Sequence, residues 1–174
     1  TLSNILSGSV DILTLFAALI GVTSLIFVAK GSVWAQFLMI LFSILYGIIS
    51  WRFNYWGEMI TYLGMSLPMS VWSAFTWIRN PSERNSSEVA VRSLGFYHWI
   101  VLFVLNGAVT LGFYFILSAL KTPNLFFSTV SVTTSFFAAS LMMLRSSYYA
   151  LAYGLNDIVL IVLWILASFK DPAY

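Results

Sequence analysis

An all-α fold that crosses a membrane several times is what this sequence predicts, and three observations predict it. Of its 174 residues, 60% are hydrophobic and only 8% are charged. The mean hydropathy of +0.92 lies outside the range of soluble globular domains. The apolar residues also gather into six runs, each close to the roughly 20 residues that a helix needs to cross hydrocarbon. A bilayer core offers no water to backbone amides, so unbroken apolar runs of this length are read as helices.

Taken in order, the first span covers 11–29 and stops at Lys30-Gly31-Ser32, and the second covers 33–51 and stops at Arg52. The turn Phe53-Asn54-Tyr55-Trp56 feeds the third, over 57–78, which ends at Arg79-Asn80-Pro81. The strongly polar segment 79–92, with three arginines, two glutamates and three serines, reads as a solvated loop. The fourth span covers 96–117, and Lys121-Thr122-Pro123 separates it from the fifth, over 125–144. Arg145-Ser146-Ser147 turns into the sixth, over 148–168, which ends near Lys170-Asp171-Pro172.

Five cations (Lys30, Arg79, Arg84, Arg92, Arg145) fall on one side of this arrangement and three (Arg52, Lys121, Lys170) on the other. The excess places the 79–92 loop in the cytoplasm. A net charge of +2, with no basic run, gives no nucleic-acid surface. Without cysteine, and with His98 as the only histidine, neither a disulfide framework nor a metal cluster is expected, and no cofactor. No nucleophile triad or Gly-rich phosphate loop is present, which argues against an enzyme.

Sliding the chain along itself by 115 residues aligns Lys30 with Arg145, Ser32 with Ser147, Ala35 with Ala150 and Leu45 with Leu160. Spans 1 and 2 then match spans 5 and 6 in a parallel duplication, with span 4 as the inverting linker. One transmembrane domain over 1–174 results: a first bundle at about 10–78, the loop 79–92, a linker helix at about 96–117 and a second, incomplete bundle at about 125–170. The pattern calls for a seventh span to match the third. That gap, and Thr1 in place of Met at the start, lead to the expectation that these residues belong to a longer protein.

Two spans carry most of the unusual side chains. Asp157 lies at the centre of the sixth, with Asn156 beside it and Tyr149, Tyr153, Leu160 and Trp164 on the same face at spacings of three and four. A carboxyl group at that depth is costly, so it is read as part of a solute or ion path. On the third span Glu58, Tyr62, Ser66, Met69, Ser70, Ser73 and Trp77 share a face, and the second span adds Trp34, Phe42 and Tyr46. Rings with a few polar tips suit a small, planar, partly polar solute. Trp51, Tyr55, Trp56, Trp77 and Trp99, near span ends, read as interface anchors. The run from Thr129 to Ser135 reads as close helix packing, Asn106 as an interhelical hydrogen bond, and Pro68 as a kink at mid-depth.

Val28-Ala29-Lys30-Gly31-Ser32-Val33-Trp34, Ile44-Leu45-Tyr46-Gly47-Ile48-Ile49-Ser50 and Tyr55-Trp56-Gly57-Glu58-Met59 resemble stretches of the PnuC family of vitamin transporters. Leu67-Pro68-Met69 with Trp77, and the stretch from Arg145 to Asp157, extend the resemblance over nearly the whole chain. It implies two three-helix bundles joined by a linker helix, as in the SWEET sugar transporters, assembled as a homotrimer in the bacterial inner membrane. It also implies uptake of nicotinamide riboside by facilitated diffusion, with a cytoplasmic kinase trapping the solute. Relatives carry thiamine or riboflavin. Where many riboside carriers have asparagine four residues before the span 2 tyrosine, this chain has Phe42; where they often have glutamine and glycine in span 3, it has Ser70 and Ser73.

The expected site is therefore a clamp of Trp34, Tyr46, Tyr149, Tyr153 and Trp164, with Glu58, Tyr62 and Ser70 lining it and Asp157 and Asn156 holding the polar or cationic part. Alternating access around a fixed mid-membrane site would move the solute. A non-transporting membrane binding subunit is the rival reading; it predicts binding without flux.

Overall fold

The computed structural model describes residues 12–52, 56–83, 85–122 and 124–170, except the side chains of 163, 164 and 166–170. Seven α-helices follow one another among these residues: α1 (Ile12–Ala29), α2 (Trp34–Arg52), α3 (Trp56–Thr61), α4 (Leu67–Ile78), α5 (Phe96–Ala119), α6 (Leu125–Met143) and α7 (Tyr149–Lys170). A π-helical turn, Tyr62–Ser66, joins α3 to α4, so three segments make up the third pass. Helices α1, α2, α5 and α6 are each long and apolar enough to cross a membrane. The chain is a polytopic, all-helical membrane protein. Asp11, the turn residues 53–55, Arg84, Asp171 and the Trp164 side chain lie outside the described residues.

The chain divides into two compact units, Thr1–Ala90 and Val91–Tyr174. In the first, α2 packs against α1 and against the third pass. Gly47 makes the second contact possible: a Cβ there would lie 2.5 Å from Leu63 Cδ2 and 2.6 Å from its Cγ. Gln36, Ser43 and Ser50 recur every seven residues beside Gly47 and are buried, a small polar stripe that lets helices approach closely. In the second unit α6 packs on both α5 and α7.

Pro68 explains the π-helical turn. It has no amide hydrogen and its ring would collide with the carbonyl four residues back. Just ahead of it the winding loosens to five residues, and the Leu67 N–H donates to the Tyr62 carbonyl. The extra residue rotates everything after it. The seven-residue face read along this span is therefore broken: Met65 is buried within the turn, and Ser70, Ser73, Ala74 and Trp77 after it. Trp77 is fully buried in the first unit, so it fills the bundle and is not an interface anchor.

The ends of α1 and α6 close in the same way, as does that of α5 at Lys121, and the first two set a register for the expected duplication. After α1 the Gly31 N–H donates to Val28 O and Ser32 N–H to Phe27 O, with Gly31 left-handed at φ 67°. After α6 the Arg145 N–H donates to Met142 O and Ser146 N–H to Leu141 O, with Arg145 at φ 60°. Gly31 thus matches Arg145, one residue off the alignment of Lys30 with Arg145. Sequence identity favoured like side chains, whereas the hydrogen bonds fix the helix end.

The polar loop is less free than its composition implies. The Val89 N–H donates to Gly31 O, and the Val33 N–H to Ser87 O, so the loop docks on the turn between α1 and α2 and buries Val89. Lys30 and the loop therefore share one end of the first unit. In the second unit the Arg92 N–H likewise donates to Arg145 O, the counterpart of Gly31 O.

Replacing Gly47 with alanine should lower stability by about 1–3 kcal/mol through overpacking against Leu63. Thermal unfolding in detergent checks this, and the loss should shrink in a Leu63→Ala background.

Candidate functional site

In the first unit the structure brings three rings together. Tyr46 and Tyr62 have ring centroids 4.5 Å apart, and Phe42 lies 5.4 Å from Tyr46 and 5.8 Å from Tyr62, edge-on to the latter. Phe42 and Tyr46 are one turn apart on α2, and Tyr62 opens the π-helical turn, which is how two passes present rings to each other. Glu58, one turn before Tyr62 on α3, has an exposed side chain, and Ser70 is buried on α4. Trp34 does not join them. It opens α2, is 63% exposed and packs on Phe37, about 18 Å along the axis from Tyr46.

In the second unit the neighbours Asn156 and Asp157 part company. Asn156 is buried, and its Oδ1 faces the hydroxyls of Thr134 at 2.7 Å and Ser135 at 3.0 Å, both on α6. The Thr134 hydroxyl also lies 3.0 Å from Val130 O, so its single proton has competing acceptors, and Ser135 supplies a second donor. Asp157 is exposed, turned about 100° away around α7. Tyr149 and Tyr153 are half-buried and pack on the cluster of Leu102, Ala138, Leu141 and Ala152 beneath Trp99 and Phe137.

The shifted register relates the two halves. Gly21 corresponds to Ser135, and Phe42 to Asn156. A Cβ on Gly21 would lie 2.9 Å from the Phe42 ring, so the same cross-helix contact is ring on glycine in one unit and amide on hydroxyl in the other. Neither Thr134 nor Ser135 was expected at the site, and Phe42 only as part of its face. Hydroxyl residues in an apolar helix carry no sequence signal that separates an amide clamp from ordinary packing.

Two of the cavities among the described residues lie near these side chains' helices. One of about 190 Å³ in the first unit is lined by Gly47, Ile48, Trp51, Trp56, Met59 and Leu63. The other, about 210 Å³ in the second unit, is lined by Phe103, Asn106, Thr133, Thr134, Phe137, Ala152 and Leu155. Neither is lined by the tyrosines or the acids. The Asn106 Oδ1 is buried without a hydrogen-bond partner, and the Thr110 and Thr133 hydroxyls beside it are 2.9 Å apart. Among the described residues no group of three or more His, Cys, Asp or Glu converges.

Residues 11–170 match the family model described as nicotinamide mononucleotide transporter. The chain belongs to that family. Its members' role makes it a membrane transporter, a multi-pass protein of a bacterial cell membrane. Over 154 residues it is 29% identical to the nicotinamide riboside transporter PnuC of Haemophilus influenzae, covering 87% of this chain and 68% of that one. It is also similar to the crystal structure of a vitamin B3 transporter, PnuC, with a TM-score of 0.74 and 25% identity, over 91% of this chain and 69% of the other.

The clamp on Asn156 makes a measurable claim. Asn156→Ala, or Thr134→Val with Ser135→Ala, should each cost about 1–3 kcal/mol, because either change strips a buried polar group of its partner. A double-mutant cycle read by thermal unfolding should show strong coupling between the two; additive losses would mean that the contact carries no energy.

Proposed function

We propose that this transporter takes up nicotinamide riboside by facilitated diffusion, with alternating access. The observation that carries the reading is the similarity to the riboside transporter over 87% of the chain. The residues supply a rationale. Asp157 sits about 12 Å along α7, near mid-depth, with its side chain exposed in the isolated chain. Hydrocarbon would make a carboxylate there very costly, so that side of α7 is expected to meet the solute path and not lipid. A pyridinium riboside carries a fixed positive charge, for which a carboxylate is the natural partner, and the Tyr46 and Tyr62 rings offer stacking surface.

Phe42 supports a second reading within the same class. A phenyl ring stands where an amide would bond a ribose hydroxyl or a carboxamide, which shifts recognition towards stacking and favours another flat vitamin such as thiamine or riboflavin. Assembly as a homotrimer, and a cytoplasmic kinase that traps the solute by phosphorylation, complete the proposal; both come from the family resemblance.

Uptake of labelled nicotinamide riboside into proteoliposomes tests it, with thiamine and riboflavin as competitors. Asp157→Ala should lower uptake about ten- to hundredfold, the worth of one charged contact, while the protein still inserts. An uncoupler should have no effect. Binding without flux would instead identify a receptor subunit, and undiminished uptake by Asp157→Ala would remove the carboxylate from the path.

A further inference from the structure

Among the described residues of the first unit, Gln36 is the side chain with two buried polar atoms and a partner for neither. It is wholly buried in α2, and both its Oε1 and its Nε2 lack a hydrogen bond. Ser73 on α4 is wholly buried too, and its hydroxyl likewise meets no partner. Other enclosed polar side chains are satisfied: the Ser24 hydroxyl donates to Gly21 O at 2.6 Å, and the Asn156 amide oxygen accepts from two hydroxyls. An amide enclosed without a partner costs free energy that methionine, of similar length, would not. Gln36 in a membrane-spanning helix therefore calls for a partner that this arrangement does not supply.

The packing sets Gln36 and Ser73 at one depth of the same seam. Gly47 against Leu63 fixes how α2 meets the third pass, which runs the other way across the membrane. Gln36 precedes Gly47 by about three turns of helix, so it shares the face that meets the third pass, about 16 Å along the axis. The same distance beyond Leu63 reaches Ser73 and Ala74, both buried. Ser43, one turn from Gly47 on that face of α2, is buried as well, and its hydroxyl is without a partner. Polar groups thus line both sides of the seam and do not bond across it.

The third pass can move at that seam. Its π-helical turn holds Leu63 and precedes Ser73, and Pro68 leaves the winding one donor short. Taking the extra residue of the turn into regular winding rotates α4 by about 100° and shifts it by about 1.5 Å against α3. Helix α2 has no such interruption. We propose that Gln36 is a positioning residue of the transport cycle: its amide bonds the Ser73 hydroxyl in a second conformation, reached when α4 turns about the π-helical segment, and so sets the balance between the two. This rests on the reading of the chain as an alternating-access carrier. The bond is the differential interaction that a two-state element requires. It involves neither Asp157 nor the tyrosine rings and does not depend on which vitamin is carried.

Gln36→Met removes the amide and keeps the length of the side chain. In detergent it should unfold at or above the temperature of the unaltered protein. A lower temperature would show that the amide is already bonded in this conformation, to water included, and would overturn the proposal. The chain has no cysteine, so spin labels at Ile12→Cys and Val71→Cys, both exposed, report where α4 stands relative to α1. Two distance populations are expected, the second reduced about fivefold in Gln36→Met and in Ser73→Ala, and no further in the double variant. One unchanged distribution throughout, or losses that multiply in the double variant, would overturn the bond. Riboside flux into proteoliposomes should fall in step with the second population, and full flux in a stable Gln36→Met would equally overturn it. No flux in the unaltered protein would count against the transport reading, and the spin-label distances would still decide for or against the bond.

Discussion

Hydrocarbon supplies no hydrogen-bond partner, and the rest of the structure depends on that. It forces each pass to be helical and concentrates the informative features at the places where helical bonding is interrupted. Pro68 removes one donor in the third pass, and the winding loosens so that the Leu67 N–H reaches Tyr62 O. The helix ends at Gly31 and Arg145 fold back on their own carbonyls through the same pair of bonds. Within the spans, the same requirement directs the Asn156 carbonyl oxygen to two hydroxyls of α6 and makes the exposed Asp157 carboxylate the anomaly from which the functional reading starts.

The two units solve one packing problem with different chemistry. At matching positions Phe42 lies on Gly21 and Asn156 bonds Ser135, so the first unit is closed by an aromatic face and the second by an amide. The Tyr46 and Tyr62 rings extend the aromatic side, and Asp157 adds charge next to the polar one. The first unit thus presents rings and the second an amide held by hydroxyls.

Much of the fold was legible because charged and turn-forming residues interrupt the apolar runs. Lys30-Gly31, Arg79-Asn80-Pro81 and Lys121-Thr122-Pro123 mark helix ends that the structure places within a residue or two of the expected positions. The rest needed coordinates for identifiable reasons. A π-helical turn adds one residue to the winding, and a repeat of three and four cannot register it. Asn156 and Asp157 are adjacent, and on a helix that is apolar nearly all round nothing in the sequence tells which of the two points at α6. Trp77 near a span end looked like an anchor because depth along a helix does not reveal the neighbour across from it. The strained Arg145 was invisible because a left-handed φ is a property of the closed turn. Side chains that need a partner from another helix were the least readable, as the Thr134 and Ser135 hydroxyls show.

The central claim is that the carboxylate of residue 157 meets the transported solute. An experimental structure of the protein in lipid with nicotinamide riboside bound tests it most directly. The account predicts ligand density beside α7 with an Asp157 oxygen within about 4 Å of the ligand's polar or cationic part. Riboside bound elsewhere, with the Asp157 side chain lying against acyl chains, would contradict it.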